Sequence, residues 1–138
     1  MKTVYAVGAV VIRTTSDATI ELLLIRKRGG DWSLPKGARK RNESDIRAVI
    51  REVYEETGIA ADVLDLVAVA SYRIKKRSGP RKKIVSYYLL RAVAGEPRPD
   101  QREKIVDAVW IPLDDSLRRL RRSRLQTIVR AAQTMIGP

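Results

Sequence analysis

The sequence predicts an α/β fold in which a mixed β-sheet is covered by helices. Three observations lead to this prediction: two runs rich in β-branched residues open the chain, one amphipathic helical segment follows, and further strands precede a helical C-terminal segment. This order of element types is typical of a layered α/β unit. The length of 138 residues also suffices to bury a sizeable core. We therefore expect one domain over residues 1–138.

The first half of the chain is predicted to form a hairpin and a helix. Residues 3–13 and 19–26 have the composition of strands and are separated by turn-forming residues. Gly29-Gly30-Asp31 breaks the chain, and residues 32–37 form a short extended piece that enters a loop. Residues 42–44 offer an N-cap, and Gly58 offers a C-terminal stop, so a helix is predicted over residues 45–57. Its apolar stripe is expected to consist of Ile46, Val49, Ile50 and Val53.

The second half is predicted to add three strands and a terminal helix. Residues 63–74 and 83–94 have strand composition, and a basic loop over residues 75–81 is expected between them. The Gly- and Pro-containing run at 95–99 is a break, and residues 105–111 form a further strand. From residue 112 to residue 135 the composition is helical.

Composition excludes several kinds of chemistry. The chain contains no Cys and no His, so disulfides, thiolate nucleophiles, imidazole metal ligands and a Ser-His-Asp triad are absent. Proton transfer and metal binding must therefore use carboxylates, Lys, Tyr or water. The net charge, 28 − 16 = +12, predicts a polyanionic partner. On charge alone, nucleotides, nucleic acid, inositol phosphates and an acidic membrane surface all remain open.

The sequence contains no pattern of a membrane protein or of a secreted one. The longest apolar run, residues 5–12, is far below the ~20 residues that a membrane helix requires, and the N-terminus lacks a signal-peptide layout. We therefore expect a soluble cytoplasmic protein with no membrane partner. The sequence leaves open whether it is a monomer or a homodimer.

The most informative stretch is residues 37–59, GARKRNESDIRAVIREVYEETGI. At about 100° per residue, Glu52 and Glu56 lie one above the other on the predicted helix, and Glu55 lies within roughly 60° of each. Three clustered carboxylates repel one another unless a cation compensates their charge. Oxygen ligands favour magnesium, calcium or manganese. Arg51 can orient one of these acids, and Glu43 can pair with Arg51.

This stretch resembles the signature of the Nudix hydrolases at every defining position. The resemblance implies an α/β/α sandwich in which the signature forms a loop, a helix and a loop. It also implies that magnesium or manganese is bound by Glu52, Glu55 and Glu56, with the backbone carbonyl of Gly37 as a further ligand. Arg51 and Glu43 are implied as support for that cluster.

The resemblance covers nearly the whole chain. Residues 32–37, WSLPKG, resemble diadenosine polyphosphate hydrolases, and residues 87–99 and 106–115 also resemble the bacterial members of that group. One departure stands out, because relatives usually have a Pro-Gly turn before the residue matching Glu43, whereas this chain has the basic loop 39–42.

The resemblance implies hydrolysis of a phosphoanhydride bond in a nucleoside polyphosphate. The leading expectation is cleavage of diadenosine tetraphosphate to ATP and AMP. Oxidised nucleoside triphosphates, diphosphoinositol polyphosphates and RNA 5′ ends are alternative substrates. A non-catalytic protein that binds nucleic acid through the basic surface is the alternative of a different class.

Candidates for catalysis and substrate binding follow from the residue types. Because His is absent, the base that accepts a proton is Glu55, Glu56 or Glu103. The expected substrate-binding residues are basic residues close to the signature or in the basic stretch 73–83, together with one aromatic residue for the nucleobase of the substrate. They are Arg26, Arg28, Lys36, Lys83 and Tyr88. Five arginines near the C-terminus are expected to form a solvated helix face or an anion-attracting patch: Arg118, Arg119, Arg121, Arg122 and Arg124.

Overall fold

The computed structural model describes residues 1–137, and within them seven strands and three α-helices follow one another. Their bounds are β1 Lys2–Thr14, β2 Ile20–Lys27, β3 Trp32–Ser33, β4 Lys36–Ala38, α1 Asp45–Thr57, β5 Ala60–Lys76, β6 Gly79–Ala94, β7 Ile105–Pro112, α2 Leu113–Arg119 and α3 Ser123–Ile136. A single 3₁₀ turn, Gln101–Glu103, precedes β7. The predicted order of strands and helices is confirmed.

The strands form one mixed sheet. Its main path runs in the order β3-β2-β1-β6-β5, with β4 paired to β1 and β7 paired to β2. The central pair β1–β6 is parallel, and the other pairs are antiparallel. The predicted hairpin of the first two strands is confirmed, since Arg13 on β1 pairs with Glu21 on β2.

Helices cover both faces of the sheet, which confirms the α/β/α sandwich. On one face, α1 packs on alternate residues of β1, namely Val7, Ala9 and Val11. On the other face, α2 and α3 pack on the intervening residues Ala6, Val10 and Ile12. Burial of β1 on both faces explains why its apolar run is continuous and does not alternate with polar residues.

The predicted basic loop over residues 75–81 is wrong. Strand β5 continues to Lys76 and β6 begins at Gly79, so only a two-residue turn, residues 77–78, lies between them. The strands pair in register up to Lys76 and Gly79, and Gly79 has a φ of +116°. The basic composition of these residues predicted a loop, but they form strands. Backbone pairing leaves the charged side chains in solvent, so their charge does not prevent a strand.

The helical segments also differ from their predictions. The expected continuous C-terminal helix is two helices, because Leu120 is extended and its buried side chain joins the core between them. In α1, Ile46 is 43% exposed and does not belong to the buried stripe, whereas Ala48, Val49 and Val53 do. None of the helices within residues 1–137 is long and apolar enough to cross a membrane.

Gly8 allows the central parallel pair to form next to a large aromatic residue. Gly8 on β1 is the register partner of Tyr87 on β6, whose side chain is fully buried. A Cβ atom at position 8 would overlap the Tyr87 ring. The close approach of the β1 backbone to the Tyr87 ring therefore requires glycine at position 8.

We expect Gly8→Ala to lower the free energy of unfolding by about 1–3 kcal/mol, because overpacking forces the Tyr87 ring or the backbone to move. Urea denaturation followed by circular dichroism measures the change. Gly30→Ala is the matched control, since its nearest neighbour would be the Lys27 carbonyl oxygen at 3.5 Å. Equal stability of the Gly8→Ala variant and the wild type would contradict the packing argument.

Candidate active site

Helix α1 is held at both ends by local signals in the sequence. The Ser44 Oγ accepts a hydrogen bond from the backbone N–H of Arg47 at 3.1 Å, which caps the N-terminus. Gly58 ends the helix in the left-handed conformation with a φ of +76°. These caps fix where the helix starts and stops, and therefore which side chains lie on the flank that faces the loop before it.

Arg51 is the centre of a hydrogen-bonded network on that flank. Its Nε and Nη2 atoms donate to the two carboxylate oxygens of Glu43 at 2.7 and 2.9 Å. Nη1 donates to Glu52 at 2.9 Å and to Glu55 at 3.3 Å, and Nη2 also donates to the Ala38 carbonyl oxygen at 3.1 Å. The guanidinium holds the pKa of Glu43 at about 2. One side chain thus joins the loop to the helix.

The loop before the helix makes a tight turn without Pro-Gly. The Glu43 backbone N–H donates to the Lys40 carbonyl oxygen at 3.1 Å, and Asn42 has a φ of +64°. This is the position of a β-turn that favours Gly or Asn, because their cost in the left-handed conformation is low. The Glu43 carboxylate also accepts the Lys40 backbone N–H at 2.9 Å. The basic loop therefore brings Glu43 to Arg51 with its own residues.

Gly37 lies directly against the carboxyl group of Glu52. A Cβ atom at position 37 would overlap that carboxyl group, so the loop can approach the helix only because this residue is glycine. The approach leaves Glu52 largely enclosed, and burial raises the pKa of its carboxyl group. The Gly37 backbone and the Glu52 carboxylate are thus neighbours.

Glu56 is the most deeply buried acid of the site, with only 2% of its surface exposed. Its Oε1 atom accepts the Lys36 backbone N–H at 2.8 Å. Burial raises the pKa of Glu56 to about 8, and the charges of Glu52 and Glu103 add to this shift. The hydrogen bond from Lys36 and the charge of Lys27 act in the opposite direction.

The loop between β6 and β7 brings Glu103 to the same place. The backbone N–H groups of Arg98 and Asp100 donate to the carbonyl oxygens of Thr57 and Glu56, at 2.7 and 3.2 Å. These bonds tie the loop to the C-terminal end of α1. The exposed Glu103 side chain then lies close enough to raise the pKa of both Glu52 and Glu56.

A pocket of about 240 Å³ opens beside Glu56. It is lined by residues of β2, β3, β4 and α1 and of the joint between α2 and α3: Ile25, Lys27, Gly30, Asp31, Ser33, Leu34, Lys36, Glu56 and Arg122. Three cations line this pocket, Lys27, Lys36 and Arg122. Two more, Lys83 and Arg124, lie close enough to lower the pKa of Lys36, and we call the five together the basic cluster. Burial and then the charges of the other four members lower the pKa of Lys36 to about 8.

The structure brings some of the expected substrate-binding residues to the pocket and not others. Lys36 lines it and Lys83 belongs to the basic cluster. Arg26 is paired instead with Asp107 at 2.7 Å, and Arg28 lies at a separate depression beside Lys104. Tyr88 packs on the α1 face of the sheet and donates to Asp45 at 3.3 Å.

Arg122 belongs to the site, and Arg124 lies close to it. The arginines of this segment were expected to form a solvated helix face or an anion-attracting patch, and in the structure Arg122 lines the pocket while the charge of Arg124 lowers the pKa of Lys36 and Lys83. The break at Leu120 turns this part of the chain toward the pocket. No periodicity marks such a break, because Leu120 also fits an unbroken helix. The only feature of the sequence that bears on the break is whether the five arginines can share one face of an unbroken helix.

The acidic residues fit a divalent metal ion that is shared with a bound phosphate. Within residues 1–137, no three acidic side chains are grouped closely enough to chelate a metal unaided. The reason is visible in the network, since Arg51 holds Glu52 and Glu55. Magnesium commonly needs only one or two carboxylates together with substrate phosphates and water. Burial raises the pKa of Glu52 and Glu56, so a cation bound beside them would favour their ionised forms.

Sequence comparisons agree with this geometry. The family model described as NUDIX domain matches residues 2–131. The 8-oxo-(d)GTP phosphatase of Mycolicibacterium smegmatis is 33% identical over 127 residues, which cover 86% of this chain and 38% of that protein. The asymmetrical bis(5′-nucleosyl)-tetraphosphatase of Mus musculus is 32% identical over 81 residues, which cover 57% of this chain and 55% of that protein. This chain spans less than two thirds of the length of both relatives.

Solved structures show the same fold. A binary complex of the Caenorhabditis elegans Ap4A hydrolase superposes with a TM-score of 0.78 and 21% identity, over 97% of this chain and 98% of that one. The NUDIX domain of Shewanella oneidensis NrtR, complexed with ADP ribose, gives a TM-score of 0.80 and 19% identity, over 99% of this chain and 90% of that one. At these identities the likeness concerns the arrangement of sheet and helices.

We expect Glu43→Gln to destabilise the protein at neutral pH and to do so less as the pH falls. The folded-state pKa of about 2 lies below the ordinary 4.5, so the unfolded chain binds more protons and the pair with Arg51 weakens on acidification. Its stabilisation is complete above about pH 5 and is lost as the pH falls toward 2. Urea midpoints of variant and wild type between pH 7 and pH 3 measure this. Glu96→Gln, at an exposed glutamate, is the control, and a pH-independent difference for Glu43→Gln would contradict the assignment.

Proposed function

This chain belongs to the Nudix family, and we propose that it is a divalent-metal-dependent hydrolase of a phosphoanhydride bond in a nucleoside polyphosphate. The observation that carries the proposal is that acidic and basic side chains line the same pocket. The buried Glu56 lies on one side of it, and Lys27, Lys36 and Arg122 line the same cavity. A substrate that satisfies both sides carries a metal ion at one end of an anionic chain of phosphates.

The metal would be magnesium or manganese, held by Glu52 and Glu56 with Glu55 and the Gly37 carbonyl group. When bound, it supplies charge neutralisation at the phosphoryl oxygens and a more acidic water. Glu56 is held toward the pocket by the Lys36 backbone N–H at 2.8 Å. Arg51 fixes the rotamers of Glu52 and Glu55, so the carboxylates keep their places before substrate arrives.

We propose Glu103 as the group that accepts the proton of the attacking water. Its charge acts on both Glu52 and Glu56, and its exposed side chain can pass the proton on to solvent. Two backbone hydrogen bonds tie its loop to the end of α1, which keeps the carboxylate near the metal ligands. Glu56 suits this role less well, because its Oε1 already accepts a hydrogen bond.

The first substrate we propose is diadenosine tetraphosphate, cleaved to ATP and AMP. Support comes from the WSLPKG segment, from the mouse relative and from the C. elegans structure. An oxidised guanine nucleotide is the second candidate, because the M. smegmatis 8-oxo-(d)GTP phosphatase matches 86% of this chain. Both substrates present a phosphate chain to the same pocket and differ in what extends beyond it.

We expect magnesium to stabilise the protein in the absence of any substrate, because a cation offsets the repulsion among the enclosed carboxylates. At a concentration ten times its Kd, the linkage amounts to about 1.4 kcal/mol and raises Tm accordingly. Differential scanning fluorimetry with and without magnesium measures the shift. Glu52→Gln should reduce it and Glu96→Gln should not. A shift that is the same in all three proteins would argue against a metal site at these residues.

We expect Glu56→Gln to lower kcat about 100-fold or more while leaving the circular dichroism spectrum unchanged. Glu103→Gln should lower kcat with a smaller effect on KM, and Glu96→Gln should match the wild type. The assay compares diadenosine tetraphosphate with 8-oxo-dGTP, a diphosphoinositol polyphosphate and triphosphorylated RNA, each with magnesium.

The products discriminate between the candidate functions. Release of ATP plus AMP at the highest kcat/KM supports the first substrate, and preferential turnover of 8-oxo-dGTP supports the second. Turnover of the diphosphoinositol polyphosphate or of the triphosphorylated RNA would support the metal-dependent chemistry but would contradict both candidate substrates. No turnover with tight, salt-sensitive RNA binding would replace the enzyme proposal with a nucleic-acid-binding protein.

A further inference from the structure

Two arginines, one at the joint between α2 and α3 and one in the first turn of α3, belong to the helices that cover the face of the sheet opposite the acidic helix α1. Helix α2 ends at Arg119, Leu120 is buried, and α3 begins at Ser123. The Gln126 side chain donates to the Leu120 carbonyl oxygen at 2.6 Å and fixes this joint. The joint presents Arg122 to the cavity that Glu56 also lines. The pocket therefore extends from the candidate metal ligands to this joint.

Neighbouring arginines of the same segment are already engaged. Arg118 pairs with Asp115, and the Arg119 guanidinium lies 5.4 Å from the centre of the Trp32 ring. Among the described residues Arg122 forms no ion pair and stacks on no aromatic ring, and Arg124 stacks on Tyr72 but has no carboxylate partner. No carboxylate therefore neutralises either of these two charges.

Arg124 is held in place by packing, against the Tyr72 ring and beside the buried Tyr87 hydroxyl, whose pKa is raised by burial and lowered in part by the charge of Arg124. Its guanidinium lies 4.3 Å from the centre of the Tyr72 ring. Its Nε atom is buried and has no hydrogen-bond partner among the described residues. Stacking on an aromatic ring fixes the direction of a guanidinium without consuming its N–H groups. Arg124 is thus oriented beside Lys36 and Lys83 before any ligand binds.

We propose that Arg122 and Arg124 bind the phosphate groups farthest from the metal ligands and thereby select substrates by the length of the phosphate chain. This inference rests on the proposed function, because the nearer phosphates are assigned to the metal and Lys36. A guanidinium matches two phosphate oxygens at once, which favours phosphate over a single point anion. The cavity of about 240 Å³ is smaller than most ligand pockets, so it suits a short phosphate chain with the nucleoside outside it.

The basic cluster supports the same conclusion by its excess of charge. Two acidic residues, Asp31 and Glu56, line the pocket together with three members of the basic cluster, and the charges of the other two members also act on Lys36. Two lysines and an arginine line one cavity at close range, and like charges at such distances repel. A chain of three or more phosphates carries enough negative charge to compensate both the cluster and a bound metal. A shorter pyrophosphate reaches only the part nearest to Glu56.

The test uses the full chain with inorganic tripolyphosphate and inorganic pyrophosphate as probes, in buffer stripped of divalent metal so that nothing is hydrolysed. Isothermal titration calorimetry compares Arg122→Gln with Arg121→Gln, which removes the same charge one residue away at an exposed arginine that does not line the pocket. We expect Arg122→Gln to weaken tripolyphosphate binding about tenfold or more and Arg121→Gln less than about threefold. Pyrophosphate binding should change little in either variant.

Arg124 is partly buried, so its test uses two variants. Arg124→Gln should weaken tripolyphosphate binding. Arg124→Lys should recover only part of the loss, because lysine keeps the charge but lacks the planar guanidinium that donates to two phosphate oxygens. Urea denaturation of both variants separates lost binding from lost folding. In turnover assays, the same substitutions should raise KM for the longer phosphate chain and leave kcat nearly unchanged.

Equal tripolyphosphate affinities of Arg122→Gln and Arg121→Gln would overturn the inference, as would a wild type that binds pyrophosphate as tightly as tripolyphosphate. Failure of the proposed function has a different signature. In that case tripolyphosphate binding depends on Arg122 but no nucleotide is turned over with magnesium. If nucleotides are turned over and every arginine variant binds tripolyphosphate as tightly as Arg121→Gln, the hydrolase proposal is supported and the inference about the arginines is wrong.

Discussion

The hydrogen bonds of Arg51 hold the candidate active site together. The guanidinium binds Glu43 with two of its nitrogens, and it also contacts Glu52, Glu55 and the carbonyl group of Ala38. A lysine in this position could not make these contacts, because it lacks the planar fork. Since the loop and the helix share this one side chain, the positions of Glu43, Glu52 and Glu55 depend on it.

Two further constraints act through the backbone around this network. Gly37 lets the loop touch Glu52, and the Lys36 N–H group holds Glu56. On the other side, the hydrogen bonds from Arg98 and Asp100 fix the loop that contains Glu103. Main-chain groups therefore position Glu56 and the loop that contains Glu103, while the Arg51 side chain positions the remaining acids.

The pocket is lined by charges of both signs that come from opposite faces of the sheet. Glu56 belongs to α1, and Arg122 belongs to the joint between α2 and α3. A nucleoside polyphosphate with its metal ion also carries charges of both signs. The sandwich creates this arrangement because α1 covers one face of the sheet and α3 covers the opposite face, and the pocket lies where their ends meet the strands β2 and β4.

The sequence by itself determined the mixed sheet, the helix at residues 45–57 and the acids on its flank, because these depend on short-range patterns and caps. Glu103 could be named from the absence of His, but its closeness to Glu56 depends on a loop folded back onto α1. The two-residue turn at residues 77–78 and the break at Leu120 were decided by tertiary structure, since strand pairing and core packing outweighed local composition. For the same reason only the structure separated Tyr88 from the pocket and brought Arg122 into it. Side chains far apart in sequence meet through packing, which no local pattern encodes.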